Sequence, residues 1–101
     1  MTIDFHAEVD KRKEALMEDL FGLLRINSER DDSKADEKHP FGPGPVKALE
    51  HFLALAERDG YKTRNIDNYA GDFEFGQGDE VLGIFAHLDV VPAGSGWDTD
   101  P

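Results

Sequence analysis

Apolar side chains recur at helical spacing through the first quarter of the chain. Phe5, Val9, Leu16, Leu20, Leu23 and Leu24 fall three, four or seven positions apart, with Glu8, Lys11, Glu14 and Glu18 between them. That pattern predicts one amphipathic helix over residues 4–26, capped by Thr2 or Asp4. Residues 28–40, "SERDDSKADEKHP", hold no large apolar side chain, so this stretch runs over the outside or stays mobile. In "FGPGPVKALEHFLALAERDGY" a second helix starts, with Pro45 in its first turn and Gly60 at its left-handed stop. Val46, Leu49, Phe52, Leu53 and Ala56 form its buried stripe.

Beyond Gly60 the period shortens towards two. Three extended runs are predicted, at residues 62–68, 72–75 and 81–87, separated by "YAGD" and "GQGD". Phe73 and Phe75 alternate with acids, as on a half-buried hairpin strand. The third run differs, because residues 81–86 ("VLGIFA") are apolar on both faces and a strand of that kind needs cover above and below. Two helices and two edge-like strands are thin provision for it. Either more chain or a second copy has to supply the rest.

Length and charge narrow the reading. The 101 residues make one domain or part of one. Acids number 22 against 11 Lys and Arg, a formal net charge of −11, which disfavours a phosphate backbone or an anionic membrane as partner. The absence of cysteine excludes disulfides, thiolate ligands and a cysteine nucleophile, and suits a reducing compartment. The acid-containing N-terminus is not that of a signal peptide, and no stretch approaches the roughly 20 apolar residues of a membrane span. The expectation is a cytoplasmic protein with no nucleic-acid or membrane partner.

The candidate chemistry lies in residues 85–101, "FAHLDVVPAGSGWDTDP". In an extended chain His87 and Asp89 project from one face, so the carboxylate can hold one ring nitrogen while the other meets a metal. The pair falls at the carboxyl end of the predicted third strand, where open α/β sheets place their ligand sites. With four histidines in the chain, a single H-x-D spacing arises by chance about as often as not. The doubly apolar strand before it and the sharp "VVPAGSGW" turn after it are what distinguish this one. His6, His39 and His51 have weak claims as ligands. Asp98 and Asp100 read as turn residues, and Trp97 as a pocket wall or a loop anchor.

"VLGIFAHLDVVPAGSGW" resembles the first metal-ligand motif of the co-catalytic zinc peptidases grouped with aminoacylase and carboxypeptidase G. "INSERDDSKADEKHPFGPGPVKALEHFLALAERDGY" narrows the resemblance to bacterial dipeptidases of the PepV, or Xaa-His dipeptidase (carnosinase-like), type. The resemblance implies an α/β fold: the N-terminal portion of a zinc-peptidase catalytic domain, two helices followed by a β-hairpin and a buried strand, with residues 1–101 all within that domain. It implies that His87 is a ligand of one of two zinc ions and that Asp89 is the active-site residue orienting it. It also implies a dipeptide substrate attacked by a metal-activated water. The general base, the other ligands and the lid domain of such enzymes have no counterpart in this chain, so the chain alone is expected to be inactive.

Two other readings compete. In one, the chain is a non-catalytic acidic α/β scaffold in which His87 is only structural. In the other it buffers cations, but the scattered acids do not form the packed D-x-D-x-D-G loop of a calcium site. On any reading the third strand leaves apolar surface that favours self-association.

Overall fold

The computed structural model describes residues 2–101. Three α-helices precede a two-stranded antiparallel sheet, an α/β arrangement of the predicted class. The predicted first helix is two. Helix α1 (Phe5–Lys11) is capped by Asp4, whose carboxylate accepts from the Ala7 amide at 3.1 Å. Helix α2 (Lys13–Leu24) follows after a break at Arg12. The Arg12 guanidinium donates to the Glu8 carbonyl and to the Glu8 carboxylate, both at 2.8 Å. The Glu8 carbonyl is the acceptor an unbroken helix would offer the Arg12 amide. That amide turns instead to Val9 O, three residues back, at 2.9 Å, and the helix tightens there.

Residues 29–40 lie outside, as expected, and their own carboxylates order them; Ser28, expected with them, is buried. Asp31 accepts from the Ser33 amide at 3.1 Å, and Asp36 from the Lys38 and His39 amides at 2.9 and 2.8 Å. Helix α3 (Pro43–Arg58) then supplies the core, burying Val46, Ala48, Leu49, Leu53 and Ala56. Phe52, predicted to be buried, is 36% exposed and leans on Phe73 instead, while Ala48 takes the inward place. The helix ends as predicted at Gly60 (φ 93°). The amides of Gly60 and Tyr61 turn back to the carbonyls of Glu57 and Ala56, both at 3.0 Å. Asp19 of α2 joins α3 through both oxygens to Arg58, at 2.9 and 3.0 Å.

Strands β1 (Thr63–Ile66) and β2 (Ala70–Phe73) pair antiparallel, Thr63 facing Phe73 and Ile66 facing Ala70. Their turn falls at Asp67 and Asn68 (φ 50° and 63°), earlier than the predicted "YAGD" break. Asp and Asn tolerate the left-handed region, and Asn65 Oδ1 accepts the Asn68 amide at 2.8 Å. The sheet lies on α3 so closely that a Cβ at Gly71 would stand 2.9 Å from Leu49 Cδ1.

The predicted third strand is not formed. Val81, Leu82, Ile84 and Phe85 are 87–98% exposed, and residues 81–86 have no hydrogen-bonded partner strand among the described residues. A strand apolar on both faces is stable only where neighbours cover both, and the hairpin and α3 engage each other instead. The accessible surface totals 9098 Å², against about 5,700 Å² for a compact monomer of 11.3 kDa. The radius of gyration, 16.5 Å, exceeds the roughly 13 Å of a closed domain of this length.

Candidate functional site

Downstream of the unpaired run the backbone is hydrogen-bonded back to the body, among the described residues, at one place. Glu29 and Val90 form an isolated parallel bridge, in which the Val90 amide donates to the Ser28 carbonyl at 3.4 Å. Ser28 Oγ donates to the Leu88 carbonyl at 2.9 Å. His87 and Asp89 therefore sit where a free segment meets a held one, rather than at the end of a strand.

The imidazole is 84% exposed at its side chain and Asp89 57%. Nδ1 of His87 lies 3.0 Å from the Asp89 carbonyl oxygen and 3.2 Å from its carboxylate Oδ1. A carbonyl oxygen can only accept, so these contacts are hydrogen bonds in the tautomer that carries its proton on Nδ1, and the ring is assigned that form on this geometry. The lone pair of the neutral ring is thereby left on Nε2, which has no hydrogen-bond partner among the described residues. Imidazole held at one nitrogen by oxygen acceptors, with the other nitrogen open, has the donor form a divalent metal takes.

One donor is not a metal centre. Catalytic zinc takes about three protein ligands and a water. Among the described residues no group of three or more His, Asp or Glu side chains converges in a metal-holding arrangement. His87 fits a zinc ion as a single ligand, and the chain's own residues do not complete a site around it.

The other candidates are dispersed. His39 Nδ1 meets Asp36 Oδ1 at 2.8 Å, and that hydrogen bond holds the Asp36 carboxyl below the usual carboxylate range. His51 is half-buried on its helix. A Cβ on Gly22 would come within 3.1 Å of its Nε2, which is buried without a partner. His6 lies exposed on α1, and Asp98 and Asp100 are exposed near the end of the described chain. Trp97 anchors its own loop, Nε1 donating to the Ala93 carbonyl at 2.8 Å.

Sequence reasoning missed Ser28, the one buried polar residue among those described, by assigning it to the outer charged loop. The signal lay in "FGPGP". Gly42 takes φ 96°, and a Cβ on Gly44 would stand 2.2 Å from the Asn27 carbonyl oxygen. A backbone packed that tightly against the first turn of α3 leaves Ser28 no route to solvent.

Fold and pair together define a class: an α/β chain presenting one carboxylate-backed imidazole donor. Comparison with known proteins sharpens it. Over 94 residues the chain is 51% identical to proteins of Staphylococcus haemolyticus, Staphylococcus saprophyticus and Staphylococcus aureus, each bearing the name "Putative dipeptidase". The alignments cover 93% of this chain and 20% of each relative, so the chain spans one fifth of the length of the curated proteins it matches. No protein-family model matches it. The likeness supports a dipeptidase family at that level of description.

Proposed function

We propose that this chain is the N-terminal part of the catalytic domain of a zinc-dependent dipeptidase, of the type its motifs resemble. His87 provides one ligand to one of two zinc ions in the whole enzyme. Asp89 orients that ligand through Nδ1. The observation that carries the reading is the His87–Asp89 geometry, with Nδ1 engaged at 3.0 and 3.2 Å and Nε2 free, in a chain 51% identical to dipeptidase-named proteins.

Zinc, when bound, supplies a Lewis acid and an acidified water for attack on a peptide carbonyl. The residues of this chain do something narrower. Asp89 fixes the tautomer and direction of the His87 ring, and the excess of uncovered surface supports a body completed by further polypeptide. The described residues do not bring a full ligand set together, and on this reading the chain alone is inactive. Among the described residues no helix is long and apolar enough to cross a membrane. We assign the parent enzyme to the cytoplasm on the cysteine-free sequence of this chain, which suits a reducing compartment.

The test is a chimera. The chain replaces the aligned segment of the Staphylococcus haemolyticus relative, and zinc-dependent dipeptide hydrolysis is followed. Hydrolysis is expected, with His87→Ala lowering kcat/KM more than about 100-fold and Asp89→Ala about 10- to 100-fold. A folded His87→Ala chimera of unchanged activity overturns the proposal.

A further inference from the structure

Ser28 is enclosed to 2% exposure, yet it belongs to none of the chemistry assigned so far. Its hydroxyl donates to Leu88 O at 2.9 Å, and its carbonyl accepts from Val90 N at 3.4 Å. Those are the two residues that flank Asp89. Among the described residues, these are the only hydrogen bonds that join residues 76–101 to the rest of the chain.

We propose that Ser28 is the positioning residue of the His87–Asp89 pair. It clamps the backbone on both sides of Asp89, and through Asp89 it sets the tautomer and direction of the His87 ring. The functional meaning of the clamp rests on the reading of His87 as a zinc ligand; the clamp itself does not.

Three further observations make Ser28 a firm platform. The Asn27 side chain accepts the Glu29 amide at 3.1 Å, closing a turn around Ser28. The first turn of α3 packs on the same backbone, with the place of a Gly44 Cβ 3.2 Å from Ser28 Cα. A hydroxyl enclosed this completely has little water to turn to, so its partner is effectively fixed. Before the clamp, residues 81–86 make no hydrogen bond among the described residues, and Val81, Leu82, Ile84 and Phe85 are exposed. Without it, no tertiary hydrogen bond would place Asp89 relative to the body, and the Nδ1 contacts at 3.0 and 3.2 Å would compete with water on even terms.

The experiment is NMR on the chain itself, without metal, at a pH where the ring is neutral. In the wild type, long-range ¹H–¹⁵N correlations are expected to show His87 as the Nδ1–H tautomer. The Val90 amide is expected to exchange with deuterium at least tenfold more slowly than those of Ile84 and Phe85. Ser28→Ala should abolish that protection and shift His87 towards the Nε2–H tautomer that an unconstrained histidine side chain prefers, while α3 and hairpin resonances stay in place. Ser28→Thr, which keeps the hydroxyl, should restore the wild-type ring pattern.

An unchanged His87 tautomer and unchanged Val90 protection in Ser28→Ala would overturn the clamp. Should that variant fail to fold, equal exchange at Val90, Ile84 and Phe85 in the wild type refutes it as well. The two proposals fail separately. An active His87→Ala chimera sinks the zinc reading and leaves the clamp standing, whereas a mobile Val90 amide beside an inactive His87→Ala chimera does the reverse.

Discussion

Gly44→Ala sets two effects of opposite sign against each other. Helix propensity favours alanine by at most about 1 kcal/mol, the figure for a helix interior. Packing opposes it. The new methyl would stand 2.2 Å from the Asn27 carbonyl oxygen and 3.2 Å from Ser28 Cα, and an ordinary contact between carbon and oxygen lies a full ångström further out. The obstructing atoms are backbone. They cannot rotate aside, because Asn27 and Glu29 are tied in a turn and Ser28 is held to Leu88. Overpacking against a fixed wall costs about 1–3 kcal/mol and sometimes more, and an approach this close to backbone falls at the upper end; less the propensity gain of up to about 1 kcal/mol, the variant is destabilised by about 2 kcal/mol. Urea titration followed by circular dichroism at 222 nm should place its midpoint roughly 1 M below the wild type. The displaced Asn27–Ser28 backbone should also loosen Val90. A Gly44→Ala chain as stable as the wild type, or more so, refutes the close approach and with it the rigidity claimed for Ser28.

Two other consequences are measurable. Arg58 bonds both oxygens of Asp19, and this hydrogen bonding holds the Asp19 carboxyl below its usual value of 3.8. A carboxylate depressed in the folded state stabilises fully above the unfolded pKa, and that stabilisation is lost as pH falls through the folded value. The wild-type urea midpoint should therefore lose more than that of Asp19→Asn between about pH 5 and pH 2, by a modest amount because the pair is solvent-exposed; parallel acid profiles refute the link. Residues 81–86 should drive association, so the weight-average mass in sedimentation should climb above 11.3 kDa with concentration and with salt, which screens the net charge of −11. Ile84→Asp with Phe85→Asp should return the monomer, and a wild type that stays monomeric at high concentration refutes it.

Local rules carried much of the fold. The stripe of α3, its glycine stop and the existence of the hairpin follow from period and turn chemistry, and these interactions lie within a few residues of one another. The break at Arg12 was illegible because it depends on a side chain capturing the Glu8 carbonyl, a competition that propensity does not encode. The hairpin turn moved to Asp67 and Asn68 because two residues that tolerate positive φ lie side by side there, a signal outweighed in the reading by the glycine of "YAGD". Phe52 and Ala48 exchanged roles because the hairpin, by packing closely on α3 at Gly71, decides which face is inside. At the site, the His87–Asp89 proximity was legible because it needs only the alternation of an extended chain. Ser28 was not, since its burial comes from Gly44 and its partners lie 60 residues away.

The third predicted strand shows where such reasoning stops. Its composition states what environment it needs, not who provides it. Strand pairing needs an edge and burial needs a face, and here the two β strands satisfy each other while α3 covers them. What remains is an apolar run in water attached to a clamp that nonetheless fixes the residues beside it. That division has a functional consequence on the proposed reading. The donor pair is ordered by the body through Ser28, independently of residues 81–86, so His87 can be preset before the sheet around those residues is complete. Pairing of that run would then align an imidazole already in the correct tautomer, rather than having to select it.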